Sequence, residues 1–78
     1  MVWKDIVTTD PNILMGKPVI RGTRISVSFL LDLLSEGWSH QQIFENYPQI
    51  DEKALRAALS YSSDRIKNEE LLPLEFGT

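Results

Sequence analysis

The chain of 78 residues contains no cysteine and a single histidine, His40. These absences exclude disulfide bridges, thiolate metal sites and the histidine cluster that would hold zinc. A domain of this size buries a modest share of its surface, and small domains without disulfides or metals often gain stability by association. We therefore expect no cofactor and no metal, and we expect a homodimer or a partner protein to supply additional stability.

Long apolar runs are also missing. No segment approaches the roughly 18 apolar residues that a membrane-spanning helix needs. The N-terminal sequence Met-Val-Trp-Lys-Asp lacks the apolar core of a signal peptide. The hydrophobic content of 42% and charged content of 24% are those of one ordinary globular domain. We expect a cytoplasmic protein without a membrane partner.

Positive charge is in short supply, because the net charge is −3 and the pI is about 4.9. Domains with a strong electrostatic footprint on DNA are usually basic, so a general nucleic-acid coat is not expected. A local cationic patch on a dimer stays compatible with this composition. Residues 16–27 concentrate three cations, Lys17, Arg21 and Arg24, between a turn and an apolar helix.

Three interpretations of this basic segment stay open. Its cations can act as an arm against DNA phosphates or in a minor groove, as homeodomain arms do. They can pair with acidic residues of a second subunit. They can also belong to a structural turn whose charges simply face water.

The remaining pattern predicts a mainly α fold with short N-terminal β-strands. Residues 2–8 and 19–20 are β-rich and can pair. Helices are predicted over 27–36, over 40–47 and from residue 52 onward, with Ser26, Ser39 and Asp51 as N-caps. The chain then divides into strands and turns (1–25), a three-helix bundle (26–68) and an apolar tail (69–78).

Apolar periodicity predicts which helix faces are buried. In the first helix, one face carries Val27, Leu30, Leu31 and Leu34. Phe29 and Leu33 widen it beyond an ordinary amphipathic stripe, which predicts a second subunit or partner there. In the third helix, the predicted inward stripe is Leu55, Ala58, Leu59, Ser62 and Ile66. The tail supplies a further predicted partner contact through Leu71, Leu72, Leu74 and Phe76.

The order of three helices matches a homeodomain-like helix-turn-helix, whose third helix enters the major groove. Lys53, Arg56 and Ser60 are then the predicted DNA contacts, because Lys and Arg neutralise phosphates and Arg also grips guanine. Two alternatives stay open. The first is a plain three-helix bundle with a solvated polar face, and the second uses the helix of residues 40–47 for recognition.

The segment Gly-Lys-Pro-Val-Ile-Arg-Gly-Thr-Arg-Ile-Ser-Val at 16–27 resembles the signature of the bacterial domain-of-unknown-function 433 family. Later motifs at residues 34–48 and 55–59 resemble it too, so the likeness spans about residues 6–61. The resemblance implies a homeodomain-like domain and a VapB-like antitoxin role beside a small nuclease toxin of the PIN-related type. It brings no catalytic residues.

Enzyme activity is not expected. The carboxylates are dispersed along the chain, and Asp32 with Glu36, one helical turn apart, offers fewer oxygens than a hard cation needs. Gly16 and Gly22 do not have the spacing of a phosphate-binding loop. The leading hypothesis is a dimeric DNA-binding antitoxin that neutralises a PIN-related toxin. The alternatives are an interaction module or structural dimer without DNA binding and, more remotely, a nuclease subunit.

Overall fold

The computed structural model describes residues 2–69, which form three helices and a small antiparallel sheet. The elements are β1 (Val7–Thr8), a 3-10 turn (Leu14–Gly16), β2 (Val19–Ile20), α1 (Val27–Ser35), α2 (His40–Asn46) and α3 (Glu52–Glu69). The predicted mainly helical fold with two short N-terminal strands is confirmed. The predicted tail contacts Leu71, Leu72, Leu74 and Phe76 lie outside the described residues.

Strand β1 begins later in the chain than the sequence predicts. Val7 pairs with Ile20 and Thr8 with Val19, as expected. Residues 3–7, however, form a turn in which the amides of Ile6 and Val7 both donate to the Trp3 carbonyl at 2.9 Å. The turn lets the Trp3 side chain reach α3, so the predicted strand over 2–8 is wrong before Val7.

Trp3 ties the N-terminal segment to α3. Its Nε1 donates to Asp64 Oδ2 at 2.6 Å. Its ring packs edge-on against Tyr61, with centroids 4.7 Å apart. Because the two partners lie one turn apart on the same helix, this single side chain links the N-terminal segment to α3 at two points.

Helix α1 begins and ends as its sequence predicts. Ser26 Oγ accepts a hydrogen bond from the Phe29 amide at 3.0 Å. Gly37 takes the left-handed φ of +95° that commonly follows a helix C-terminus. The buried face differs from the prediction, because Leu33 is only 6% exposed and belongs to the chain's own core. Leu33 is therefore not an exposed interface residue, whereas Phe29 remains 37% exposed.

Side-chain caps also start α2 and α3. Ser39 and Gln42 form a complete capping box, with bonds of 3.1 Å and 2.8 Å. Asp51 Oδ1 accepts from the Ala54 amide at 2.8 Å. Between the helices, Ile50 is buried against the core, which anchors the α2–α3 connection.

The inward face of α3 is partly mispredicted. Leu55 and Ala58 are buried as expected, and the small side chains Ala54 and Ala57 join them. Leu59 and Ile66 are exposed instead. The small alanines of α3 and the buried residues of α1 belong to one core cluster, whereas the apolar periodicity predicted a stripe that continues to Ile66. No helix within residues 2–69 has both the length and the apolar content to cross a membrane.

Candidate functional site

The outward face of α3 carries the predicted recognition residues Lys53 and Arg56, and both are exposed. At about 100° per residue, Lys53 lies roughly 160° around the helix from Leu55, and Arg56 lies as far from Ala58. Leu55 and Ala58 are buried in the core. The first turns of α3 therefore project both cations away from the body of the domain.

Arg56 already has a partner on its own helix. Its Nε lies 2.9 Å from Glu52 Oε2, and both side chains are more than half exposed. An exposed pair of this i,i+4 type contributes about 1 kcal/mol or less. The pair is therefore easily broken, although the Glu52 carboxylate stays close to Arg56 on the same helix. Ser60, the third predicted contact, is half-buried.

The basic segment combines a structural turn with exposed charge. Arg21 Nε donates to the Asp5 carbonyl at 3.0 Å, which ties the turn to the N-terminal segment. The Thr23 amide and hydroxyl both donate to the Ile20 carbonyl, at 3.0 and 2.8 Å. Lys17 and Arg24 are exposed on either side. The turn interpretation thus accounts for Arg21, and it does not by itself account for the exposed charges of Lys17 and Arg24.

An open groove of about 560 Å³, here called groove A, lies beside this segment. Exposed apolar side chains line it, and two cations stand at its edge; the main residues are Leu14, Met15, Phe29, Lys17 and Arg24.

The backbone at groove A is unusual. Leu14, Met15 and Gly16 have consecutive positive φ angles of 49°, 59° and 83°. A left-handed conformation costs a residue with a side chain roughly 1–2 kcal/mol. Met15 is 94% exposed, so the strained turn presents a large apolar side chain to solvent.

Leu14 and Met15 were not among the residues predicted from sequence. The available signal was the apolar run Ile13-Leu14-Met15 directly between the Asp10-Pro11 turn and Gly16. Position in a turn does not by itself decide burial, since Ile50 in the α2–α3 connection is buried, so this signal alone did not predict their exposure.

A second open groove, of about 430 Å³, lies between α1 and the C-terminal half of α3 and is called groove B. Its lining includes Leu31 of α1 and Tyr61, Arg65 and Ile66 of α3, with Lys17 at its edge. Lys17 therefore borders both grooves.

The predicted DNA-binding cations fall into two separate places. Lys17 and Arg24 meet at groove A. At about 100° per residue, Arg65 and Tyr61 lie on the side of α3 that also carries the buried Ala54 and Ala58. Lys17 borders that side in groove B. In a single chain, therefore, Lys17 does not share a surface with Lys53 and Arg56.

The described residues offer little for metal chemistry. Within 2–69 no three His, Cys, Asp or Glu side chains are grouped as a metal site would require. Asp32 and Glu36 are exposed, and His40 stacks edge-on beside Phe44 at 6.3 Å. Ser39 is engaged as a helix cap. These side chains have local structural or solvated positions.

Comparison with known proteins identifies the family. Residues 7–62 match the family described as "Protein of unknown function (DUF433)". The chain is 37% identical over 59 residues to "Uncharacterized protein y4eO" of Sinorhizobium fredii (strain NBRC 101917 / NGR234); the match covers 76% of this chain and 27% of that protein.

A solved structure is also similar. The crystal structure of a DUF433 member protein from Anabaena variabilis ATCC 29413 superimposes with a TM-score of 0.77 at 26% identity. The match covers 83% of this chain and 64% of that one. The chain thus spans about a quarter of one relative and just under two thirds of the other. It belongs to the DUF433 family.

Proposed function

We propose that this protein is a cytoplasmic antitoxin-like regulator. It masks a PIN-related nuclease toxin through groove A and binds DNA as a dimer through the outward face of α3. In this proposal α2 and α3 act as a homeodomain-like helix-turn-helix. The observation that carries it is the strained, exposed turn at Leu14 and Met15, since a protein that works alone gains nothing from presenting apolar side chains this way.

The masking role is supported by the chemistry of groove A. Backbone strain of this kind is concentrated at functional sites, where surrounding contacts maintain it. Met15 and Phe29 offer apolar area for burial, and methionine adapts to irregular partner surfaces. Lys17 and Arg24 at the edge suit a partner whose facing surface is acidic, because complementary charge favours encounter and register.

The DNA-binding role is supported by the position of Lys53 and Arg56. Both follow the Asp51 cap within two turns, at the end of α3 that a helix-turn-helix inserts into the major groove. The cap and the buried Ile50 fix that end of the helix. Because one chain carries few cations, a second copy is needed to give the phosphate neutralisation on which affinity depends.

Partner binding is tested with the purified product of the adjacent gene. A Met15→Asp variant is expected to lose at least about tenfold in affinity, since it places a charge in an apolar contact. Ile66→Asp is the matched control, because Ile66 is also an exposed apolar residue but lies in groove B. Equal affinity for the wild type and Met15→Asp would remove groove A from the proposal.

DNA binding is tested by fluorescence anisotropy on the DNA upstream of the gene, over a range of salt concentrations. Replacing Lys53 and Arg56 by Ala is expected to lower affinity and reduce the salt slope by about 1.8 per chain. As a matched single-charge control, Lys4→Ala removes a cation from an exposed position outside α3 and is expected to cost less affinity than Lys53→Ala. Identical losses in both variants would indicate non-specific charge attraction.

A second candidate function is an interaction module that does not touch DNA. The specific observation in its favour is the pairing of Arg56 with Glu52, which lowers the cationic character of the α3 face. The net charge of −3 acts in the same direction. Partner binding without salt-sensitive DNA binding would favour this candidate over the first.

A further inference from the structure

Groove B places an exposed apolar side chain beside an apolar groove. The first half of α3 buries Ala54 and Ala58, whereas Ile66, on the second half, is 69% exposed at the groove. Leu31 of α1 and Tyr61 of α3 line the groove and are only half-buried. A two-fold symmetric interface needs a surface that complements itself, because each copy must present both halves of the contact. A protruding isoleucine next to an apolar groove meets that condition.

We propose that groove B is the interface of a symmetric homodimer, in which Ile66 of each copy enters the groove of the other and packs beside its Leu31. The interface rests on the proposed function for the need of a dimer, and it names the surface that forms one. Groove A stays available to a protein partner, because Met15 and Phe29 line groove A and lie outside groove B.

Charges beside groove B support a second copy as its occupant. Lys17 is exposed at the edge of the groove, near the start of α1, where the Val27 amide donates to the Pro18 carbonyl at 2.9 Å. Asp32 is exposed further along α1, about 40° around the helix from Ser28, which lines the groove. When two copies of α1 pack antiparallel, the start of each faces the end of the other. Lys17 of each copy then meets Asp32 of the other across the two-fold axis.

The position of groove B along α3 suits the spacing of DNA contacts in a dimer. Ile66 lies 13 residues after Lys53, which is about 20 Å along the helix. A two-fold axis beside Ile66 therefore allows the two Lys53 side chains to lie up to about 40 Å apart. This range includes the separation of about 34 Å between half-sites one DNA turn apart. Contact through the first half of α3 would bring the same cations much closer together.

Self-association of the isolated protein, measured by sedimentation velocity without DNA or a partner, tests the interface. We expect a monomer–dimer equilibrium whose dissociation constant rises at least about tenfold in Ile66→Asp, because that variant places a charge in an apolar contact. Val2→Asp is the matched control, since Val2 is 72% exposed and lies outside both grooves; it is expected to leave the constant unchanged. A protein that stays monomeric, or equal weakening by the two variants, would overturn the proposal.

A charge exchange gives the second arm of the test. Lys17→Asp and Asp32→Lys each place like charges opposite one another and are each expected to weaken self-association at least about threefold. The two substitutions together restore opposite charges and are expected to recover most of that loss. No recovery in the folded double variant would overturn the two-fold arrangement.

Met15→Asp separates this interface from the proposed partner site. It is expected to keep self-association, because Met15 lies in groove A. Loss of self-association in Met15→Asp would overturn the assignment of the dimer to groove B, while the partner and DNA assays decide the proposed function independently.

Discussion

At the scale of single residues, Leu14 and Met15 are the positions whose conformation differs most from what their side chains favour. Their φ angles of 49° and 59° lie in the left-handed region, which asparagine and glycine populate more readily. Neither side chain is buried in return. The turn is strained and its side chains are exposed, so it lowers the stability of the domain. We place the partner contact at this turn.

Replacing Met15 by Asn is expected to stabilise the domain by about 0.5–1 kcal/mol, because Asn tolerates the left-handed conformation. The same substitution removes apolar contact area and is expected to weaken partner binding. Urea denaturation measures the first effect. Val2→Asn, at an exposed apolar position without positive φ, is the control and should stay within about 0.5 kcal/mol. Destabilisation by Met15→Asn would show that the turn is not strained.

Trp3 gives a second residue-scale prediction. Trp3→Phe keeps the aromatic contact with Tyr61 but removes the hydrogen bond to Asp64. The expected loss in free energy of unfolding is about 1–2 kcal/mol, as for a hydrogen bond to a charged group in a half-buried site.

Asp64→Ala provides the other arm of a double-mutant cycle with Trp3→Phe. The free energy of unfolding of the double variant is expected to be only slightly lower than that of either single variant. Fully additive losses would mean that Trp3 and Asp64 contribute independently.

At the scale of elements, helix boundaries were predictable because capping chemistry is local. Ser26, Ser39 and Asp51 all cap as expected, and Gly37 follows α1 in the left-handed region. The buried faces were less predictable. Leu33 is buried and Ile66 is exposed, because burial depends on how α1 and α3 pack in the folded domain, which helical periodicity alone does not give.

The site was predictable only in part, for the same reason. The cations of α3 and of residues 16–27 were identifiable by type and spacing. That Lys17 lies beside groove B, away from the Lys53 face, depends on how the N-terminal segment packs on α3 through Trp3. Groove A depends on a turn of unusual backbone conformation, which periodicity does not indicate.

The Asp51 cap links element stability to the proposed DNA contact. Asp51→Ala removes the acceptor for the Ala54 amide and is expected to cost about 1 kcal/mol of stability. It should also fray the turn that carries Lys53, and so weaken DNA binding although Asp51 is itself acidic. Asp51→Asn keeps an acceptor and is expected to preserve most of both properties; circular dichroism and anisotropy measure them.

At the scale of the whole molecule, the cations of one chain are divided between two surfaces, and the proposed dimer brings together two copies of the outward face of α3 for DNA. A helix-turn-helix dimer places its recognition helices about 34 Å apart. A Lys53→Cys variant, spin-labelled at its single thiol, is expected to give an inter-subunit distance of about 30–40 Å. A much shorter distance, or no dipolar coupling, would contradict a dimer of this type.

The central claim is that one small domain carries two separable surfaces, groove A for a protein partner and the outward face of α3 for DNA. The most direct test measures both affinities for two variants, Met15→Asp and the Lys53→Ala, Arg56→Ala pair. We predict that Met15→Asp loses the adjacent-gene partner and keeps DNA, and that the double variant does the reverse. A folded variant that loses both affinities would contradict the claim. So would the result that both variants keep both affinities.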